Sequence, residues 1–181
     1  MEDEIITVDE DLALYSVHER FAAPLYALVK CNQAWLQQSM DWPRHVSSLE
    51  DIRKTLQGNY LLHHRGYAKM FIIQQDDKPV GVISFNQIEP TNKTAWIGYW
   101  LAEASQGQHI MSRALQAFIH HYASSGLVRR FAIKCIVTNQ ASNRVAQRNG
   151  FSLEGCLRQA EYLNDEFHDV NVYGRIIDCQ A

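Results

Sequence analysis

The sequence predicts a mixed α/β domain: a mostly antiparallel, twisted sheet with a central parallel pair and helices on both faces. Three observations predict it. Two apolar runs, 68–74 and 80–86, flank the turn formers Asp76, Asp77 and Pro79, the grammar of a hairpin. The stretch 94–137 reads strand, polar turn, helix, strand, which implies parallel neighbours joined by a right-handed crossover. At 181 residues, with 46% apolar and 20% charged, the chain has the size and balance of one globular domain. The predicted domain spans 1–181, with its core at about 10–178.

Taken in order, Leu12, Leu14 and Ser16 alternate with Ala13, Tyr15 and Val17 and predict a first strand. Pro24, tolerated in a first helical turn, precedes Leu25, Leu28 and Val29 in a short amphipathic helix. Residues 35–43, with Trp35, Trp42 and Pro43, read either as a packed helix-and-turn or as part of a substrate wall. A helix follows from Ser47 or Ser48 to about His64; Ser48 with Asp51 is a capping-box variant, and Gly66 closes it. The hairpin comes next, with a turn over 75–79, and Glu89–Asn92 turn into the strand 94–101. Behind it lie the crossover helix, a strand over 130–137, a helix over 139–149, and strands over 151–158 and 167–177 joined by a loop around Asn164 and Asp165.

Composition excludes several classes. A net charge of −3 argues against bulk affinity for nucleic acid or an anionic membrane. No apolar run is long enough to span a bilayer, and the acidic start Met1–Glu4 has no apolar segment behind it to form a signal peptide. Cys31, Cys135, Cys156 and Cys179 are scattered without a CxxC pair, which predicts reduced thiols and a cytoplasmic protein. Among the eight histidines, His63–His64 and His120–His121 are adjacent pairs that point to different helix faces, so no metal is expected. They read as solvated or capping histidines.

The chemistry concentrates in residues 94–114. An apolar strand with Trp96, Ile97, Tyr99 and Trp100 meets the polar break Glu103–Ser105. Then come Gln106, Gly107, Gln108, His109, Ile110 and Met111, and from Ser112 onward apolar residues at helical spacing. A helix start offers unpaired N–H groups and partial positive charge, which suits a pyrophosphate; an ordinary α/β joint is the plainer alternative.

Gln106-x-x-His109-x-Met111, followed by Asn139-Gln140-Ala141-Ser142-Asn143 and Arg148-Asn149-Gly150-Phe151, resembles the GNAT superfamily of acetyl-coenzyme A-dependent N-acetyltransferases. Within it the likeness is to the type that acetylates the N-terminal serine of a ribosomal protein. It is carried by residues 32–43, 63–70, 97–111 and 154–164 and covers nearly the whole chain. The resemblance implies acetyl-coenzyme A as donor, the N-terminus of a serine-starting ribosomal stalk protein as acceptor, and a homodimer. It also implies Glu161 as the base and Ser142 as the acid that protonates the leaving thiolate, with Gln106 to Ser112 holding the pyrophosphate.

The residues themselves admit this chemistry. An α-amine, with a pKa near 7.7–8.0, is neutral at pH 7 roughly 400-fold more often than lysine, so it needs only modest help from a carboxylate. Glu161, ahead of the Asn164 turn, is expected in a sheet-end loop facing a cleft; a solvated loop carboxylate is the alternative. Ser142 in the first turn of its helix competes with a capping role. Asn139 offers an amide to the pantetheine arm or serves as N-cap, and the backbone near Trp100 and Leu101 suits strand addition by the same arm. His109 departs from the family pattern, which has glycine there, and it puts cofactor affinity in question. Two further readings stay open: acetylation of a small amine such as a polyamine or antibiotic, and a catalytically impaired GNAT-like binding protein.

Overall fold

Alternation along the two central strands decides the layering. The computed structural model describes residues 3–178, so the expectations on Met1, Glu2 and Cys179 lie outside the described residues. In strands β3 (Lys69–Gln75) and β4 (Lys78–Glu89), Phe71, Ile73, Ile83 and Phe85 pack in one core. Met70, Ile72 and Val82, one residue out of phase, pack in a second core on the opposite face. Helices α1 (Ala22–Cys31) and α3 (Leu49–Arg65) cover the second face through Leu25, Val29, Ile52 and Leu56. Helix α4 (Ile110–Ser124) covers the first through Ala114, Leu115, Phe118 and Tyr122, joined by Ala146 of α5 (Gln140–Arg148).

Among the described residues, eight strands form one sheet in the order β1-β2-β3-β4-β5-β6-β8-β7. Here β1 is Ile5–Thr7, β2 Leu12–Ser16, β5 Thr94–Leu101, β6 Arg130–Ile136, β7 Ser152–Leu163 and β8 Glu166–Ile176. The β5–β6 pair is parallel, spanned by α4; every other pairing is antiparallel. The capping box at Ser48 is present: its hydroxyl accepts from the Asp51 amide at 3.3 Å while the Asp51 carboxylate accepts from the Ser48 amide at 2.9 Å. Gly66 ends α3 at φ 77°, a conformation glycine adopts without cost.

Several expectations change. Strand β1 was not expected, because three residues are too few for periodicity to register; Glu4 beside it is its anchor. The Glu4 carboxylate accepts from His63 Nε2 (3.1 Å), His121 Nε2 (3.0 Å) and the Tyr122 hydroxyl (2.9 Å), with Lys69 Nζ at 3.6 Å. His63 is therefore a buried, bonded histidine rather than a solvated or capping one. The hairpin turn contracts to Asp76 and Asp77, both at positive φ (49° and 60°); β3 gains Gln75 and β4 gains Lys78 and Pro79. Asn164 (51°) and Asp165 (63°) do the same for β7 and β8. Glu161 consequently lies on strand β7, paired with His168, and not in a loop. Polar Arg158, Gln159 and Glu161 and a register shift between Leu157 and Glu161, with Gln159 at φ 48°, hide this strand from alternation.

Candidate active site

The parallel pair opens. β5 and β6 are in register only from Thr94–Ile97 against Arg130–Ile133, and beyond that they part. Gly98 to Leu101 keep their partners on β4, so one side of β5 is left unpaired. The Ala102 amide reaches the Val80 carbonyl on the β4 side (2.8 Å). By alternation, the backbone groups of Tyr99 and Leu101 point into the gap and those of Trp100 point away from it. That refines the sequence expectation: Trp100 offers its ring rather than its backbone, tilted against Trp42 at 5.8 Å. The Leu101 carbonyl accepts from the Trp35 indole (3.2 Å) and from the Gln106 side-chain Nε2 (3.3 Å). Residues 35–43 are thus both packed helix-and-turn and cleft wall. Here the helix α2 is Gln33–Leu36, and a 3₁₀ turn follows at Trp42–His45.

Next to the gap stands the start of α4. Gly107 (φ 78°) and His109 (φ 56°, ψ 20°) both take left-handed conformations, and His109 is the N-cap. The Arg113 amide is bonded to the His109 carbonyl (3.0 Å), so the amides of Ile110, Met111 and Ser112 have no carbonyl ahead of them in the helix. This helix start, the cradle expected for a pyrophosphate, keeps its open amides with histidine at position 109. Its flanks are braced: Gln75 Nε2 donates to Gln108 Oε1 (3.4 Å), and Asn149 Nδ2 to Ser112 Oγ (3.1 Å).

Across the gap, α5 presents Ser142. Asn139 caps this helix, its side-chain oxygen accepting from the Ser142 amide at 3.2 Å. The Ser142 hydroxyl is therefore not a cap. It lies 3.0 Å from the Tyr99 hydroxyl and 3.2 Å from Cys135 Sγ. Burial pushes the Tyr99 phenol and the Cys135 thiol upward, so both stay protonated at neutral pH. Glu161 enters from β7, and partial burial raises its carboxyl above the ordinary range while His168 and Lys134 pull it back. Such a carboxyl accepts a proton more readily than a fully solvated one.

These groups share one cleft of about 1100 Å³. Of the expected site residues, Trp100, Leu101, Gln106, Met111, Asn139, Ser142 and Glu161 line it. Gly107, Gln108, His109, Ile110 and Ser112 lie outside that lining, at the cradle. Trp35, from the stretch read as a possible substrate wall, lines it too; the Tyr99 side chain, Cys135 and His168 also line it and were not singled out from sequence. For Tyr99 the signal was available: it shares a strand face with Ile97 and Leu101, the face that α4 and α5 cover. Among the described residues no cluster of His, Cys, Asp and Glu could hold a metal ion.

A slot between parting parallel strands, ending at a set of open helix amides, fits a peptide-like arm with an anionic tail, as in coenzyme A. Residues 12–152 match the acetyltransferase (GNAT) domain family, and the chain belongs to that family. It is 63% identical over 177 residues to the ribosomal-protein-serine acetyltransferase of Escherichia coli (strain K12), covering 98% of this chain and 99% of the relative. Among solved structures it resembles RimL, a ribosomal L7/L12 alpha-N-protein acetyltransferase in complex with coenzyme A, held as a cysteine disulfide. The TM-score is 0.95 at 59% identity over 97% of this chain and 99% of that one. It also resembles an acetyltransferase from Salmonella typhimurium that modifies the N-terminal serine of ribosomal protein L7/L12. There the TM-score is 0.91 at 58% identity over 97% and 100% of the two chains.

Proposed function

We propose that this enzyme transfers the acetyl group of acetyl-coenzyme A to the N-terminal α-amine of a ribosomal protein that begins with serine, as a cytoplasmic homodimer. The observation that carries the reading is the 63% identity, over 98% of the chain, to a ribosomal-protein-serine acetyltransferase. The site supports it, with Glu161 and Ser142 lining the same cleft.

The chain's own residues divide the work. The cradle amides from Gly107 to Ser112 hold the pyrophosphate, and the Tyr99 backbone and the Leu101 amide, open on the gap side, pair with the pantetheine arm, which sets the thioester beside Ser142. The α-amine needs only to lose one proton, and Glu161 takes it as nitrogen bonds to the acetyl carbon. When the carbon–sulfur bond breaks, its electron pair goes to sulfur, which takes the Ser142 hydroxyl proton. Ser142 recovers a proton from Glu161 through water as products leave, so protons balance over the cycle.

The homodimer has support at the sheet edge. Strand β7 is exposed along nearly its whole length, with Leu153 (58%) and Tyr162 (53%) uncovered, and Phe167 (65%) joins them from β8. An edge strand exposed over that length, with apolar side chains standing uncovered on it, suits a second copy.

The test is a transfer assay with a serine-starting ribosomal peptide beside a panel of polyamines and amine antibiotics. Acetylation confined to the peptide α-amine supports the reading. Transfer to the small amines instead would establish the alternative. The impaired-binder reading loses ground here, because His109 keeps the left-handed conformation the cradle needs.

A further inference from the structure

Ser142 has two close polar neighbours whose roles the proposed transfer does not yet use. A serine hydroxyl carries one proton and two lone pairs. The Tyr99 hydroxyl at 3.0 Å and the Cys135 thiol at 3.2 Å each bring one proton and reach the same oxygen, one from β5 and one from β6. These strands are parting at this level, so the serine oxygen spans the mouth of the gap. If both neighbours donate into Ser142 Oγ, its lone pairs are filled and its own proton has to point away from both.

We propose that Tyr99, seconded by Cys135, is a positioning residue: by donating into Ser142 Oγ it turns the serine's proton into the cleft, toward the leaving sulfur. This inference rests on the reading of Ser142 as the acid. Burial keeps both neighbours in their protonated, donating forms at the pH where an α-amine reacts. The Tyr99 hydroxyl has one rival acceptor, the Ser142 carbonyl at 3.3 Å. That contact is the longer, and the carbonyl sits inside α5, where it accepts from the amide one turn on. Charge gathering on the departing sulfur also favours the arrangement in which the serine proton faces it. Tyr99 keeps its own proton throughout; it acts through Ser142. A thiol is the weaker donor of the two, so Cys135 contributes less.

A double-mutant cycle tests this. Tyr99→Phe preserves ring volume and is expected to lower kcat about five- to tenfold, with KM for acetyl-coenzyme A within about twofold. Cys135→Ala is expected to cost about two- to threefold on the same readout. In a Ser142→Ala background both substitutions should be silent, because the group they orient is gone. An equal loss in both backgrounds, or no loss from Tyr99→Phe alone, overturns the proposal. If Ser142→Ala by itself leaves kcat unchanged, the acid reading fails and the inference falls with it, a result distinct from additivity.

Discussion

The hydroxyls of Tyr99 and Ser142 lie 3.0 Å apart, the first on β5 and the second on the opening turn of α5. That contact joins the sheet to the helix at the point where the parallel strands part, and it separates two roles that sequence left entangled. Asn139 caps α5, which leaves the Ser142 side chain for the cleft.

Ser142→Ala should therefore slow turnover on the order of tenfold, since a thiolate with a thiol pKa near 8.5 already leaves fairly well. The same substitution should leave the melting temperature nearly unchanged. Asn139→Ala should instead cost about 1 kcal/mol of stability through the lost cap. Thermal melts set beside initial rates read both effects; a destabilised Ser142→Ala with normal kcat would return Ser142 to a structural role.

Glu161→Gln should lower turnover by about 10²–10⁴-fold while acetyl-coenzyme A binding holds. The sign of its pH linkage helps exclude unfolding as the cause. Burial raises this carboxyl in the folded protein, so its stabilising contribution is present below the ordinary carboxylate pKa and lost as pH rises through the folded value. At pH 7 the glutamine variant should melt no lower than wild type. Wild-type turnover by the variant at pH 6.5, where the amine most needs help, would remove Glu161 from the mechanism.

At position 109 the cost is conformational. A non-glycine residue at φ 56° forgoes roughly 1–2 kcal/mol, so His109→Gly should tighten acetyl-coenzyme A binding by up to about tenfold. His109→Val, whose branched side chain resists this conformation, should weaken it at least as much. Calorimetric titration of the two variants checks the order Gly, His, Val. Failure of wild type to bind at all, with binding restored by glycine, would mean that the imidazole closes the site.

Glu4 anchors the N-terminal strand, and its removal should be felt in stability rather than rate. Burial alone would raise its carboxyl. Hydrogen bonding from His63, the charge of Lys69, and hydrogen bonds from Tyr122 and His121 outweigh that and bring it from 4.5 to about 2. A lowered folded pKa means stability that is present above the unfolded value and lost as pH falls toward 2, worth about 3 kcal/mol at neutral pH. Glu4→Gln should lower the melting temperature by about 5–10 °C at pH 7. The gap should narrow through the acid range. A gap independent of pH would show that packing, not the charge, holds β1.

Sequence carried the layering and the order of elements because they rest on local signals: alternation in β3 and β4, the Ser48–Asp51 box, and Gly66. It pointed to Glu161 and Ser142 through family resemblance, not through spacing; the structure sets both on one cleft. What it could not carry depends on contacts far apart in the chain. The Glu4 cluster joins residues 59 to 118 positions away, and Tyr99 meets Ser142 across 43. Two-residue turns at Asp76–Asp77 and Asn164–Asp165 read as longer loops because polar residues at strand ends look the same in either setting.

The central claim is the acceptor, and one measurement reaches it directly. A ribosomal protein that begins with serine is incubated with the enzyme and acetyl-coenzyme A, beside the same protein with its N-terminus chemically blocked, and fragment masses locate any added acetyl group. The account predicts one acetyl group on the serine α-amine of the free protein and none on the blocked one. Acetyl groups on lysine side chains of both proteins, or on neither protein while a small amine is acetylated, would contradict it.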